Sequence, residues 1–93
     1  MKPNDSKIAT VHLRYFARLR EALGRDAEEL ALPEGIANVG ALLALLRERG
    51  GAWEKELASG RPVRVAVNQD MADSANPVVA GDEVAIFPPV TGG

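Results

Sequence analysis

In the segment "ATVHLRY", Val11, Leu13 and Tyr15 alternate with Thr10, His12 and Arg14, the period of a strand with one face buried. The period then changes. "FARLREALG" places Phe16, Leu19 and Leu23 near one face of a helix of about two turns, and Gly24 is positioned to stop it. In "AEELALP", Leu30 and Leu32 alternate with Glu29 and Ala31, which predicts a second strand ended by a turn at Pro33, Glu34 and Gly35.

The clearest pattern is "NVGALLALLRERGG". Val39, Leu42, Leu43 and Leu46 fall at i, i+3, i+4 and i+7, so the main core helix is predicted there, with Leu43 among its buried residues. Asn38 can cap its start, Arg47 and Arg49 suit the negative end of its dipole, and Gly50 and Gly51 stop it. The connector "AWEKELASG" has room for one more helical turn, from which Trp53 and Leu57 can fold back on the core. "PVRVAVNQ" predicts a third strand with Val63, Val65 and Val67 on one side, and 70–76 has room for a short strand. Pro77 interrupts the pattern, Gly81 and Asp82 form a turn, and "EVAIF" is the last strand. Several strands around one long helix, without regular strand-helix alternation, make an α+β roll.

Composition narrows the class. Ninety-three residues fit one domain, and an apolar share of 46% against 26% charged is enough to build a core. Eleven basic against thirteen acidic residues, with no basic run, argue against a phosphate-tracking nucleic-acid partner. No apolar run approaches the ~20 residues of a membrane span, and "MKPNDSK" lacks the apolar segment of a signal peptide, so a cytoplasmic protein without a membrane partner is expected. The absence of cysteine removes disulfides, thiolate nucleophiles and thiolate metal sites. The expected organisation is a flexible leader over 1–7, a domain over 8–88 and an extended tail over 89–93.

Along "DEVAIFPP" the alternation sends Val84 and Ile86 to one face and Ala85 and Phe87 to the other. If the first pair is core, Phe87 is either an exposed aromatic beside Pro88, Pro89 and Val90, and so a partner site, or is covered by the connector around Trp53. Pro88 and Pro89 favour an extended backbone. Beyond them Thr91, Gly92 and Gly93 can reach ~10 Å, and without Cβ atoms the glycines make a thread thin enough for a narrow channel. The unusual group on that thread is the α-carboxylate of Gly93. Activated by ATP as an acyl-adenylate and attacked by a sulfur donor, it would become a thiocarboxylate.

With "YFARLRE" after the first strand, "VAVNQ" on the third and above all "GDEVAIFPPVTGG", the chain resembles, over 11–93, the small sulfur-carrying subunits of molybdopterin synthases. The resemblance implies the ubiquitin-like β-grasp fold, with a mixed sheet packed on one main helix. It also implies that an E1-like enzyme uses ATP to adenylate Gly93, that a sulfur donor system makes the thiocarboxylate, and that the tail enters the large synthase subunit. There sulfur passes to cyclic pyranopterin monophosphate, and two deliveries make the dithiolene. Such a chain is a carrier, not a catalyst on its own; it binds no cofactor and assembles with the large subunit as a hetero-tetramer. Gly92 and Gly93 match the family's terminal pair and Phe87 its interface aromatic. Phe16, Arg20 and Met71 match partner-contact positions, although Phe16 can equally be core and Arg20 a solvated charge.

Other candidates carry less. His12 is the only histidine, lies on the polar side of the first strand, and has no second histidine or cysteine to complete a metal site. Asp82 and Glu83 read as a solvated turn, and Gly50-Gly51 lacks the Lys-Ser/Thr of a phosphate loop. Three other readings stay open: a thiamine-pathway sulfur carrier, a ubiquitin-like modifier joined to lysines through Gly93, and a docking module with a frayed tail.

Overall fold

The structure, a computed structural model, describes residues 10–58 and 62–89. The expected leader and positions 90–93 of the tail lie outside them.

Strand β1 (Thr10–Tyr15) pairs antiparallel with β2 (Ala27–Ala31), Leu13 opposite Glu28, and parallel with β5 (Glu83–Phe87), Leu13 opposite Val84 and Tyr15 opposite Ile86. β5 also pairs antiparallel with β3 (Arg64–Val67), which pairs antiparallel with β4 (Asp70–Ala72). The order β2-β1-β5-β3-β4 makes a mixed sheet. Residues paired across neighbouring strands share a face, so Tyr15, Ile86, Val65 and Ala72 form one inner row, and Arg14, Ala85, Ala66 and Met71 one outer row.

The inner rows meet helix α2 (Val39–Arg47), whose Val39, Leu42 and Leu46 are buried in one core with Val11, Leu13, Tyr15, Val65, Val67, Val84 and Ile86. Asn38 caps this helix as expected: its Oδ1 accepts from the Ala41 amide at 2.8 Å. Leu43 departs from the expectation. It is only half-buried, because the stripe turns it toward the flank, where it lines an open groove with Val63, Val65 and Met71. Nor do both glycines stop the helix. Gly50 (φ +79°) marks the break, and Gly51 (φ +55°) opens a second helix, α3 (Gly51–Glu56). That helix is the further turn anticipated in the connector, and it delivers Trp53 and Leu57 to the core.

Helix α1 (Ala17–Leu23) follows β1 directly and ends at Gly24 in the left-handed conformation, whose amide donates to the Arg20 carbonyl. Leu19 is buried and Leu23 half-buried, but Phe16 is not on their face: it precedes the helix and points outward. Between β3 and β4, Asn68 (φ +51°) and Gln69 (φ +73°) form a two-residue turn with both positions left-handed, the I′ pattern of tight hairpins. Asn68 then ties the hairpin to β5. Its Oδ1 accepts from the Glu83 amide at 3.0 Å, and its Nδ2 donates to Asp82 Oδ1 at 2.9 Å. Asp82 Oδ2 in turn accepts from the Val79 amide, so this carboxylate is spent on the turn. No helix among the described residues is long and apolar enough to cross a membrane.

Candidate functional site: the outer face at the root of the tail

The alternation that buries Val84 and Ile86 turns Phe87 to the outer face, at the point where β5 gives way to Pro88 and Pro89. Phe87 is half-buried there. The connector does not cover it: Trp53 lies against Tyr15, edge to face at 5.4 Å, on the inner side. The neighbour of Phe87 is instead Phe16, whose ring meets it edge to face with centroids 6.4 Å apart. Phe16 is itself 39% exposed, and the Arg14 guanidinium lies 5.5 Å from its ring centroid. Arg14 also pairs with Glu83 at 3.6 Å, which draws the charge toward the far half of the face.

One row along, Ala85 and Ala66 stand between the aromatic pair and Met71, which is 58% exposed on edge strand β4. The register therefore brings Phe16, Phe87 and Met71, which are remote in sequence, onto one outer face beside Pro88 and Pro89, an apolar strip interrupted by exposed Arg64, the β3 partner of Phe87. Pro88 and Pro89 are half-buried at its end. Arg20 is not part of the strip; it is exposed on α1 and forms no ion pair among the described residues. Val90, Thr91, Gly92 and Gly93 lie outside the described residues.

The other half of the outer face is polar. His12 faces Glu29 at 3.4 Å, both well exposed. Among the described residues no group of three or more His, Asp or Glu side chains is placed to hold a metal ion.

The strongest electrostatic cluster lies elsewhere, where β1, β2 and the α2–α3 junction meet. Glu28 accepts from Tyr15 Oη at 2.7 Å, from Arg25 at 3.1 Å, and from both terminal nitrogens of Arg49 at 2.8 and 3.0 Å. The Arg49 guanidinium also stacks 4.3 Å from the Trp53 ring centroid. Burial by itself pushes the Glu28 carboxyl up. Hydrogen bonds from Arg49 and Tyr15, with the charges of Arg49 and Arg25, outweigh it and hold the group below its usual range. Burial and then the Glu28 carboxylate push the Tyr15 hydroxyl up, so it remains a donor. The Glu28 hydrogen bond, outweighing burial, raises Arg49. With every oxygen of Glu28 engaged, this is a clamp across elements and not an acid-base pair. Sequence reading missed it, having assigned Arg49 to the helix dipole; the only hint was a glutamate on the inward phase of a strand.

The profile of the ThiS family matches residues 13–93. The chain belongs to the ThiS family. Among its relatives, the molybdopterin synthase sulfur carrier subunit of Escherichia coli (strain K12) is 39% identical over 83 residues, covering 89% of this chain and 99% of that protein. The crystal structure of SAMP1 from Haloferax volcanii superposes with a TM-score of 0.73 at 31% identity, covering 90% of this chain and 99% of that one. A complex of subunits 1 and 2 of the molybdopterin-converting factor from Helicobacter pylori contains a chain of the same fold, with a TM-score of 0.61, 21% identity, and coverage of 90% and 99%. The sheet and helices of this ThiS-family protein are accordingly the ubiquitin-like β-grasp.

Proposed function

We propose that this ThiS-family protein is the sulfur carrier subunit of a molybdopterin synthase. A carboxylate oxygen of Gly93 attacks the α-phosphorus of ATP on an E1-like enzyme, releasing pyrophosphate. A sulfur donor then attacks the acyl carbon of the adenylate, AMP leaves, and the thiocarboxylate so formed is the cargo. The large subunit receives the tail, with Gly92 giving it a thin profile, and sulfur passes to cyclic pyranopterin monophosphate. ATP is consumed by the activating enzyme and not held by this chain.

What supports this reading most is the meeting of Phe16 and Phe87 on an apolar strip where β5 runs into Pro88 and Pro89. A partner seated on that strip receives the tail beside it, so one interface both docks the carrier and aims Gly93. The near end-to-end relationship to a curated sulfur carrier supports the chemistry. Met71 extends the same contact along the face, and Arg20, exposed on α1, meets a partner outside the strip.

The likeness to SAMP1, named in a second structure as a small archaeal modifier protein, favours one further reading: joining of Gly93 to lysines of other proteins. Intact mass spectrometry after incubation with the activating enzyme, ATP and a sulfur donor separates the readings. Exchange of one oxygen for sulfur, lost when Gly93 is deleted, is expected for the carrier. Adducts of the chain on other proteins, without thiocarboxylate, would favour the modifier. No change in mass with a demonstrably active enzyme would leave a docking module.

A further inference from the structure

The sequence places Phe16, Leu19 and Leu23 on one helical stripe, yet Leu19 is buried in the core while Phe16 stands on the outer face. The break in phase lies at the residue between strand and helix. Ala17 has φ +56°, a left-handed backbone that an L side chain rarely adopts, and it is the only described non-glycine residue outside the β3–β4 turn that does so. On one side of it Phe16 is extended (φ −128°, ψ 155°) and still belongs to the sheet, its amide donating to the Ile86 carbonyl at 3.2 Å. On the other side α1 begins at once, with the Leu19 amide donating to the Phe16 carbonyl at 3.1 Å. Tyr15 faces the core, so strand alternation already turns Phe16 to the outer face; the left-handed step at Ala17 then lets α1 start at once with Leu19 on the inner side. Phe16 and Leu19 thus stand one to each side of the sheet.

We infer that Ala17 is a positioning residue for the docking strip: its left-handed backbone lets Phe16 stay on the outer face against Phe87 while α1 turns Leu19 into the core. This inference rests on the proposed role of the outer face. Strain at an exposed alanine beside the aromatic pair is the pattern of strain kept for function. The alanine methyl also limits the alternatives open to the chain at this point, which glycine would not.

The test compares Ala17→Gly with Ala17→Val, reading the Phe16–Phe87 ring contact by NMR and the affinity for purified large subunit by calorimetry. Glycine accepts positive φ without strain, so Ala17→Gly is expected to keep the ring contact, raise Tm and change Kd by less than about twofold. A β-branched valine does not tolerate this conformation, so Ala17→Val is expected to lose the ring contact and weaken binding about tenfold or more, with the Tyr15–Trp53 contact intact. A ring contact retained in Ala17→Val would overturn the inference, whatever the affinity. Loss of the contact with unchanged affinity would overturn the positioning role. If Phe16→Ala also left affinity unchanged, the fault would lie with the docking reading itself. Should Ala17→Val fail to fold, Ala17→Gly decides alone: a Tm at or below that of the natural protein would overturn the strain on which the inference stands.

Discussion

The two faces of the sheet are built from the same strands and put to different use. On β5, Val84 and Ile86 are sealed beneath α2, while Ala85 and Phe87, one residue out of step, are left half-covered beside Phe16 and Met71. The inner face is satisfied within the chain. Among the described residues the outer strip is covered only by its own two aromatics, with Pro88 and Pro89 at its margin. Folding and docking thus draw on alternate residues of one strand, and substitutions on the two faces should separate the two properties.

The largest expected separation is at the tail: deleting Gly93 should abolish thiocarboxylate formation in mass spectrometry while leaving the melting curve in place. On the inner face, Leu42→Ala should destabilise the fold by ~2–5 kcal/mol in denaturant titration, the range for a sealed core leucine. Leu43→Ala, one residue away but at the rim of the groove, should cost no more than about half of that. Equal losses would show that the boundary between faces is drawn wrongly. Glu28→Gln should cost roughly 2–3 kcal/mol, because it leaves Arg49 and Arg25 without their shared carboxylate. Its pH dependence has a definite sign. The folded-state pKa of Glu28 is depressed, so its contribution is complete above its unfolded value of ~4.3 and is lost as pH falls through the folded value. Acid titration of stability should therefore be flatter in Glu28→Gln than in the natural protein; parallel curves would remove the clamp from the account. On the outer face, Phe87→Ala should weaken binding of the large subunit by about 2 kcal/mol in calorimetry, with a smaller change in folding stability. A large loss of folding stability with unchanged affinity would reverse the assignment of that ring.

Where local rules govern, the sequence was readable. The alternation of Val11, Leu13 and Tyr15 and the stripe of α2 with Asn38 at its head both appear where their periods place them. Phe87 was assigned to its face by the same alternation. Phe16 leaves the helical stripe because it still follows the alternation of β1, and Ala17 departs from the uniform backbone angles that a stripe presumes. The clamp escaped for another reason. Tyr15 and Glu28 are thirteen residues apart and Glu28 and Arg49 twenty-one, and only the β1–β2 register and the break at Gly50 bring them together. "VAVNQ" was recognised as a motif before its purpose was visible: Asn68 is the peg that fixes the hairpin to β5.

The position of β5 between β1 and β3 has a consequence for biosynthesis. Until that strand is made, the chain holds two separate hairpins, β1 with β2 and β3 with β4, and isolated two-stranded hairpins are marginal in water. The parallel pairing of the first strand with the last is a contact of high sequence separation, the kind that closes late and slowly. A chain cut short before Glu83 therefore lacks the strand that completes the domain. Closure of the sheet is thus tied to synthesis of nearly the whole chain.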